Sequence, residues 1–353
     1  MQVDIVSQRL RNQYLVGTKL ESPEEAVRWF GAVQAQDFPG AKWALGQRVA
    51  HTTNSDIDSI FNNGVILRTH VMRPTWHFVH RTDIRWLLEL TAHRVHAANS
   101  YPYRKFGLDG GIREKSETLI AESLLNGGEL TRKEIGQVLN GSGIEADGLR
   151  LGYILMNAEL NGVVCSGALR GKQHTYALLD ERVPRTKSWS RCRALTELAK
   201  RYFASRNPAQ LQDFAWWSGL TLTDARAAAE GARLAEFEQQ GRRYWGHTAT
   251  SPKKTDVSIH LLPNYDEYFI AYKDRSAYET QFSIAPPTGI FDRHILVVNG
   301  KLAGAWRAAT HGKTLVMSVT PLVPMRPKHE EALDKAAEGY GRFLARPVEV
   351  ELP

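Results

Sequence analysis

Two glutamines in the segment WFGAVQAQDFPGAKWAL, residues 29–45, are the first candidates for chemistry in this chain. Gln34 and Gln36 lie two positions apart in an apolar stretch, where amide side chains are uncommon unless other groups hold them. A glutamine is no useful base near neutral pH, but its carbonyl accepts and its NH₂ donates hydrogen bonds, so such a pair can bind polar groups. The alternative is structural, because amides near a helix end can also cap carbonyl groups or bond across a domain interface.

Other familiar kinds of catalytic site find little support in the sequence. It contains no phosphate-binding glycine loop, HExxH zinc motif or nucleophile elbow, and its two cysteines stand in no metal-ligand or redox spacing. His77 and His80 lie three apart in a predicted strand and so face opposite sides. His93 and His96 could share a helix face but lack a third ligand. We therefore expect neither a metal nor a cofactor.

Two adjacent carboxylates, Asp266 and Glu267, occur among aromatic residues in LLPNYDEYFIAYKDR, residues 261–275. Paired carboxylates can act as an acid and a base. Charges of both signs follow at 273–275, and mixed charges this close usually pair with one another. We therefore interpret the group as a structural network.

The glutamines are expected near the end of a helix. Ser22 and Glu25 form a capping-box pair and Pro23 suits the first helical position, which predicts a helix from about 23 to 35. Further on, VILRTH and TWHFVH predict two strands around the turn residues MRP.

Helices followed by a hairpin recur along the chain. In the clearest case a helix capped by Thr131, with Glu134 three positions later, precedes a turn, a longer helix and a strand-turn-strand, which is the order of a winged helix. A later stretch repeats this order, with Asn207 and Thr223 as predicted helix caps and a hairpin around Gly241. From about residue 257 the pattern is mainly that of strands.

These patterns predict a mainly α fold with α+β elements, built of tandem winged-helix units and a C-terminal β-rich, barrel-like domain. The expected domains are 1–105, which carries the glutamines, 106–186, 187–252 and 253–353. The segment TSPKKTD, residues 250–256, is the expected boundary before the last domain.

Basic residues are in excess, since the formal net charge is +7 and the pI is near 9.3, which favours a polyanionic partner. Between 182 and 206 the only acid is Glu197, against Arg182, Arg185, Lys187, Arg191, Arg193, Lys200, Arg201 and Arg206. Such a run is often a solvated helix face, but beside helix-turn-helix candidates we interpret it as phosphate-binding. The expected DNA contacts are Arg150, Arg170, Lys172, Gln173, His174, Arg185, Lys187, Arg191 and Arg193.

The chain has no apolar run near the ~18 residues of a membrane span and no secretion-signal pattern at its start. We therefore expect a cytoplasmic protein that does not enter membranes. Tandem DNA-binding units in one chain remove the need for a dimer, so we also expect a monomer.

Four strings in this chain, in the same order, resemble the AlkZ/YcaQ-like family of winged-helix DNA glycosylases. They are AVQAQDFPGAKWALGQRV, LRTHVMRPTWHFVHRTDI, LLPNYDEYFIAYKDR and HILVVNGKLAGAWR, and the resemblance covers nearly the whole chain. It implies tandem winged helices, a C-terminal β-barrel and catalysis by a QxQ or a QxD motif. Gln34 and Gln36 match the QxQ form, whereas Asp37 lies one place too late for QxD and is kept as a further candidate.

The resemblance implies hydrolysis of N-glycosidic bonds in double-stranded DNA that carries alkylated or crosslinked bases. An N7-alkylguanine is already cationic and leaves readily, so two amides that position water could suffice without a strong base. A dedicated enzyme for one genotoxin is a narrower form of this hypothesis. The competing hypothesis is a non-catalytic winged-helix protein such as a transcription regulator, because a fold alone does not determine function.

Overall fold

The computed structural model describes residues 3–246, 257–279, 289–290 and 293–352. The first half contains α1 Ile5–Asn12, α2 Pro23–Phe30, β1 Val33–Gln34, α3 Phe38–Gly46, α4 Asn54–Asn62, β2 Ile66–Val71, β3 Arg73–His80, α5 Ile84–Ala98, α6 Ser100–Lys105, α7 Gly110–Ser123, β4 Leu130–Thr131, α8 Arg132–Gly141, α9 Gly148–Leu160, β5 Val164–Ser166 and β6 Thr175–Leu178. The second half contains α10 Leu179–Arg182, α11 Arg191–Arg206, α12 Leu211–Ser218, α13 Leu222–Gly231, β7 Glu236–Gln239, β8 Arg242–Trp245, β9 Ile259–Leu262, α14 Glu267–Ile270, β10 Ile295–Val298, β11 Lys301–His311, β12 Thr314–Pro321, α15 Pro327–Leu344 and β13 Val348–Glu351.

The first glutamine lies in a strand, so the predicted helix over 23–35 is wrong beyond Phe30. The Ser22 side chain caps the start of α2 as predicted, but the Glu25 carboxylate accepts from the Glu21 N–H, so the predicted reciprocal box with Ser22 is wrong. Gly31 adopts φ +75° and ends the helix. The chain then runs as the short strand β1 against β3, with Gln34 opposite His77. The sheet order is β1-β3-β2, and the predicted hairpin of β2 and β3 is confirmed.

The second helix-helix-hairpin region has the predicted order of elements. Thr131 and Glu134 form a reciprocal capping box at the start of α8, and α9 ends before Gly162. The following strands belong to a sheet of order β4-β6-β5. The winged-helix assignment of this region stays a prediction.

The third region contains the predicted helices and hairpin, but both helix caps were predicted wrongly. Asn207 ends α11, and α12 begins after Gln210, which shares a reciprocal capping box with Asp213. Thr221 rather than Thr223 caps α13, because its hydroxyl accepts the Asp224 N–H. The hairpin of β7 and β8 turns at Gly241 as predicted.

The C-terminal part contains a five-stranded sheet of order β13-β12-β11-β10-β9. Its pairs are antiparallel except for the parallel pair of β12 and β13, and α15 packs against β9 and β13. Among the described strands β9 and β13 are edges, so barrel closure stays a prediction. The predicted boundary TSPKKTD lies outside the described residues.

The buried side chains show which regions are joined. One apolar cluster is local to residues 103–178, between Tyr103 and Tyr176. A larger cluster combines β2, β3, α5, α11, α12 and α14 in one core. The first and third regions and the C-terminal part are thus held together by shared apolar burial. The described residues contain no helix long and apolar enough to span a membrane.

Gly219 allows the turn between α12 and α13 to lie against the β2–β3 hairpin. It has φ +71°, and a Cβ there would collide with the main-chain oxygen of Met72. The side chain of Arg94 also donates to the Gly219 carbonyl. The turn therefore seats directly on the backbone of the hairpin.

We predict that Gly219→Ala lowers the free energy of unfolding more than Gly127→Ala does. Gly127 has φ +77°, but a Cβ at that position would meet nothing within 4 Å. Gly127→Ala should therefore cost only the roughly 1–2 kcal/mol of left-handed backbone strain, without a steric clash. The clash at Gly219 should add about 1–3 kcal/mol. Urea unfolding of both variants measures the difference, and equal losses would contradict the direct seating of the turn.

Candidate active site

Gln34 is held through both its main chain and its side chain. Its N–H donates to Oε1 of Glu267 at 2.9 Å, and its side-chain Oε1 accepts from Nη2 of Arg73 at 3.0 Å. The residue is half-buried. This amide is thus fixed at a defined place on the strand.

Gln36 is exposed and more loosely held. Its Oε1 accepts from the main-chain N–H of Trp76 at 3.4 Å. The intervening Ala35 is buried, and its N–H donates to the Trp76 carbonyl at 2.7 Å. Arg68 donates to the carbonyls of Ala35 and Gln36 at 2.9 and 3.4 Å. The segment that carries both amides is therefore bound to β2 and β3 along its length.

Glu267 is a buried carboxylate that joins distant elements at Gln34. Its Oε2 accepts from Arg206 Nη2 at 2.6 Å and from Trp217 Nε1 at 2.8 Å, while Oε1 holds the Gln34 N–H. Arg206 has no exposed surface. The neighbouring Asp266 pairs with buried Arg48 at 2.7 Å. Both carboxylates are paired, but with Arg48 and Arg206 far along the chain, so the expectation that they pair with the neighbouring charges at 273–275 is wrong, and the link to Gln34 was missed.

Arg73 lies between Gln34 and two further acceptors. Its guanidinium also donates to the Trp217 carbonyl and to Nε2 of His77, the latter at 3.2 Å. Burial lowers the Arg73 pKa to about 10, against the opposing effect of Glu267, so it stays charged at pH 7. Burial, aided by the Arg73 charge, lowers the His77 pKa well below its usual value. His77 is therefore neutral, with Nδ1–H donating to the Thr75 carbonyl at 2.9 Å.

A second buried carboxylate supports Trp76. Glu159 of α9 accepts from Trp76 Nε1 at 3.4 Å and from Nδ1 of His70. The His70 and Arg68 side chains pack on the Trp76 ring, at 4.4 and 4.2 Å from its centroid. This cluster connects the second region to the hairpin strand that bonds Gln36.

Asp37, the further candidate, makes no hydrogen bond to either glutamine amide among the described residues. It occupies the N-cap position of α3 without a capping bond from its side chain. Burial lowers the His294 pKa, and the nearby Asp37 charge opposes this shift. Burial also raises the Tyr340 pKa to about 12, and there the Asp37 charge adds to the shift. Its carboxylate therefore acts on the C-terminal part, and a catalytic role for Asp37 stays a prediction.

The predicted DNA contacts in the second region lie in different surroundings. Lys172 and Gln173 are exposed, and Arg170 is exposed but paired with Glu134 at 2.7 Å. The His174 ring packs edge-on against Phe38 at 4.5 Å, and burial lowers its pKa to about 4. That ring therefore joins the hairpin to α3.

The remaining predicted contacts lie around the basic run or on α9. Arg150 donates to the Phe106 carbonyl at 2.9 Å. Lys187 is exposed, and the others are exposed with local contacts: Arg185 with Asp180, Arg191 with Asp224 and Arg193 over the Trp189 ring. DNA binding by these residues stays a prediction. Arg206 from the same run faces the interior, and Arg182 and Arg201 are largely buried in ion pairs with Glu129 and Asp83, so the interpretation of the run as wholly phosphate-binding is wrong at these positions.

Replacement of Glu267 by glutamine tests its role as the hub of this site. Glu267→Gln keeps the shape but leaves the Arg206 charge buried without a counter-ion, so we expect a loss of about 3–5 kcal/mol in the free energy of unfolding. Urea unfolding at pH 7 measures it. Glu331→Gln, which removes an exposed pair with Lys335, is the control and should change stability little. Equal effects of the two substitutions would refute the hub role.

Comparisons with known proteins give a consistent identification. The family model "DNA glycosylase AlkZ-like" matches residues 27–343. The solved structure of Streptomyces sahachiroi DNA glycosylase AlkZ is similar with a TM-score of 0.79 and 23% identity, over 99% of this chain and 98% of that chain, which shows a shared fold. A search of curated proteins finds no match. Since the family model covers most of the sequence, this chain belongs to the AlkZ-like DNA glycosylase family.

Proposed function

We propose that this DNA glycosylase is monofunctional and hydrolyses the N-glycosidic bond of cationic N-alkylated purines, with N7-alkylguanine as the type substrate. The observation that carries the proposal is the placement of two neutral amides close together, Gln34 at the end of β1 and Gln36 in the bend that follows it, beside buried and already paired carboxylates. Family membership favours this activity over that of a non-catalytic regulator.

The chemistry requires no strong base. Water adds to C1′, the electron pair of the C1′–N9 bond passes to the departing purine and neutralises its charge, and a proton leaves to solvent. Because the leaving group is cationic at the start, the water needs to be positioned more than deprotonated. Two amides offer the donors and acceptors for this task. An undamaged, neutral purine would leave far too slowly, so selectivity follows from the weakness of the site as a base.

The surroundings of the glutamines support a hydrolytic, single-step enzyme. Among the described residues, no lysine hydrogen-bonds to Gln34 or Gln36, whereas strand cleavage through a Schiff base needs a lysine near C1′. Tandem DNA-binding units in one chain would remove the need for a dimer, so we also propose a monomer that acts on double-stranded DNA.

Exposure of Gln36 supports action on bulky and crosslinked bases. A base tied to the opposite strand cannot be swung freely into a deep pocket. An exposed amide such as that of Gln36 could meet the glycosidic bond without that movement. We therefore include interstrand crosslinks of N-alkylpurines among the substrates, whether the enzyme repairs many such lesions or resists one genotoxin.

The test is release of N7-methylguanine from a duplex under single-turnover conditions, scored as abasic sites. The wild-type protein should release the base and leave the strand intact, and Gln34→Ala and Gln36→Ala should each slow release by about 100-fold or more. Gln212→Ala, which changes an exposed glutamine of α12, should retain wild-type activity. Absence of release by wild type from N7-methylguanine and from crosslinked duplexes would rule the proposal out.

A further inference from the structure

Arg73 determines which end of the Gln34 amide faces away from the protein. A guanidinium has five N–H donors and no acceptor, so the atom of Gln34 that lies 3.0 Å from Nη2 must be the carbonyl oxygen. The guanidinium itself is held by the acceptors of His77 and Trp217. The amide therefore cannot flip without loss of a charge-assisted hydrogen bond.

The other end of this amide is unused within the protein. Among the described residues, none accepts a hydrogen bond from Gln34 Nε2, so its NH₂ is left for a ligand. The charge beside Oε1 also draws electron density from the amide, which weakens the carbonyl as an acceptor and strengthens the NH₂ as a donor. Gln34 is thus arranged to donate.

Gln36 is arranged differently. Its Oε1 has only the long 3.4 Å contact with the Trp76 N–H, and no charged group of the described residues bonds its side chain. The side chain is exposed, so it can turn its carbonyl toward a ligand at small energetic cost. The two glutamines of the pair are therefore not equivalent.

We propose that Arg73 is a positioning residue that divides the work of the pair: Gln34 donates to an acceptor atom of the damaged nucleotide, and Gln36 accepts from the attacking water. This deepens the proposed function and rests on it. A purine nitrogen gains electron density as the C1′–N9 bond breaks, so a fixed donor stabilises the transition state more than the ground state. An acceptor for one O–H of the water directs its lone pair at C1′.

Matched substitutions by glutamate test the division of roles. Gln34→Glu removes the outward donor and pairs the new carboxylate with Arg73, whereas Gln36→Glu keeps an acceptor, and both add the same charge near DNA. We expect single-turnover release of N7-methylguanine to fall about 100-fold or more in Gln34→Glu and at most about 10-fold in Gln36→Glu. Equal losses, or a greater loss in Gln36→Glu, would overturn the assignment.

Arg73→Ala tests the positioning role. It should slow release about 100-fold, added guanidinium ion should restore part of the rate, and Arg73→Ala combined with Gln34→Ala should be no slower than Gln34→Ala alone. The control is Arg94→Ala, which removes an arginine that donates to the Gly219 carbonyl in the turn after α12. Thermal unfolding confirms that each variant is folded. If the losses of rate in Arg73→Ala and Gln34→Ala add up in the double variant, or if guanidinium restores no activity, Arg73 does not act through Gln34.

A measurement without activity separates this inference from the proposed function. In protein labelled with ¹⁵N at glutamine side chains, the Gln34 NH₂ signals, assigned by their loss in Gln34→Ala, should shift in Arg73→Ala and stay in place in Arg94→Ala. Unchanged Gln34 signals in Arg73→Ala would overturn the role of Arg73. Absence of base release by wild type would instead overturn the proposed function, and the NMR result would still decide the orientation.

Discussion

The position of Gln34 depends on one buried carboxylate. Glu267 binds Arg206 of α11, Trp217 of α12 and the N–H of the glutamine strand at the same time. Burial of a charge without a counter-ion costs several kcal/mol of folding free energy. Separation of these elements would leave such a charge, so the carboxylate favours their packing together. The result is that a residue near the C-terminal sheet fixes a candidate catalytic side chain near the start of the chain.

The β2–β3 hairpin completes the site by supplying a donor to each amide. The Arg73 side chain donates to Gln34, and the Trp76 main chain donates to Gln36. The hairpin is itself held from two directions, by the close approach of Gly219 and by the Glu159 cluster of α9. Three regions of the chain therefore meet at one hairpin, which holds Gln34 at the end of β1 and Gln36 in the connection to α3.

The electrostatics of the site agree with chemistry that positions water. The two buried carboxylates of the site, Glu267 and Glu159, are engaged by donors. His77 is held neutral by burial and by the Arg73 charge. The polar side chains left to contact a substrate are the two amides, and these suit a substrate whose leaving group is already activated.

Residue type and spacing alone specify the local features of this protein. The caps at Ser22 and Thr131 and the hairpin at 66–80 follow from them, whereas Gln34 and Gln36 became the catalytic candidates through the resemblance to a known family. The predicted helix caps at Asn207 and Thr223 are wrong because nearby Gln210 and Thr221 occupy the N-cap positions instead. The folded chain was needed to show that Gln34 lies in a strand, that Glu267 binds it across 233 positions and that Arg73 orients its amide. The physical reason is that long-range hydrogen bonds and shared burial leave no periodic signal in the sequence, whereas caps and turns are satisfied by residues a few positions away.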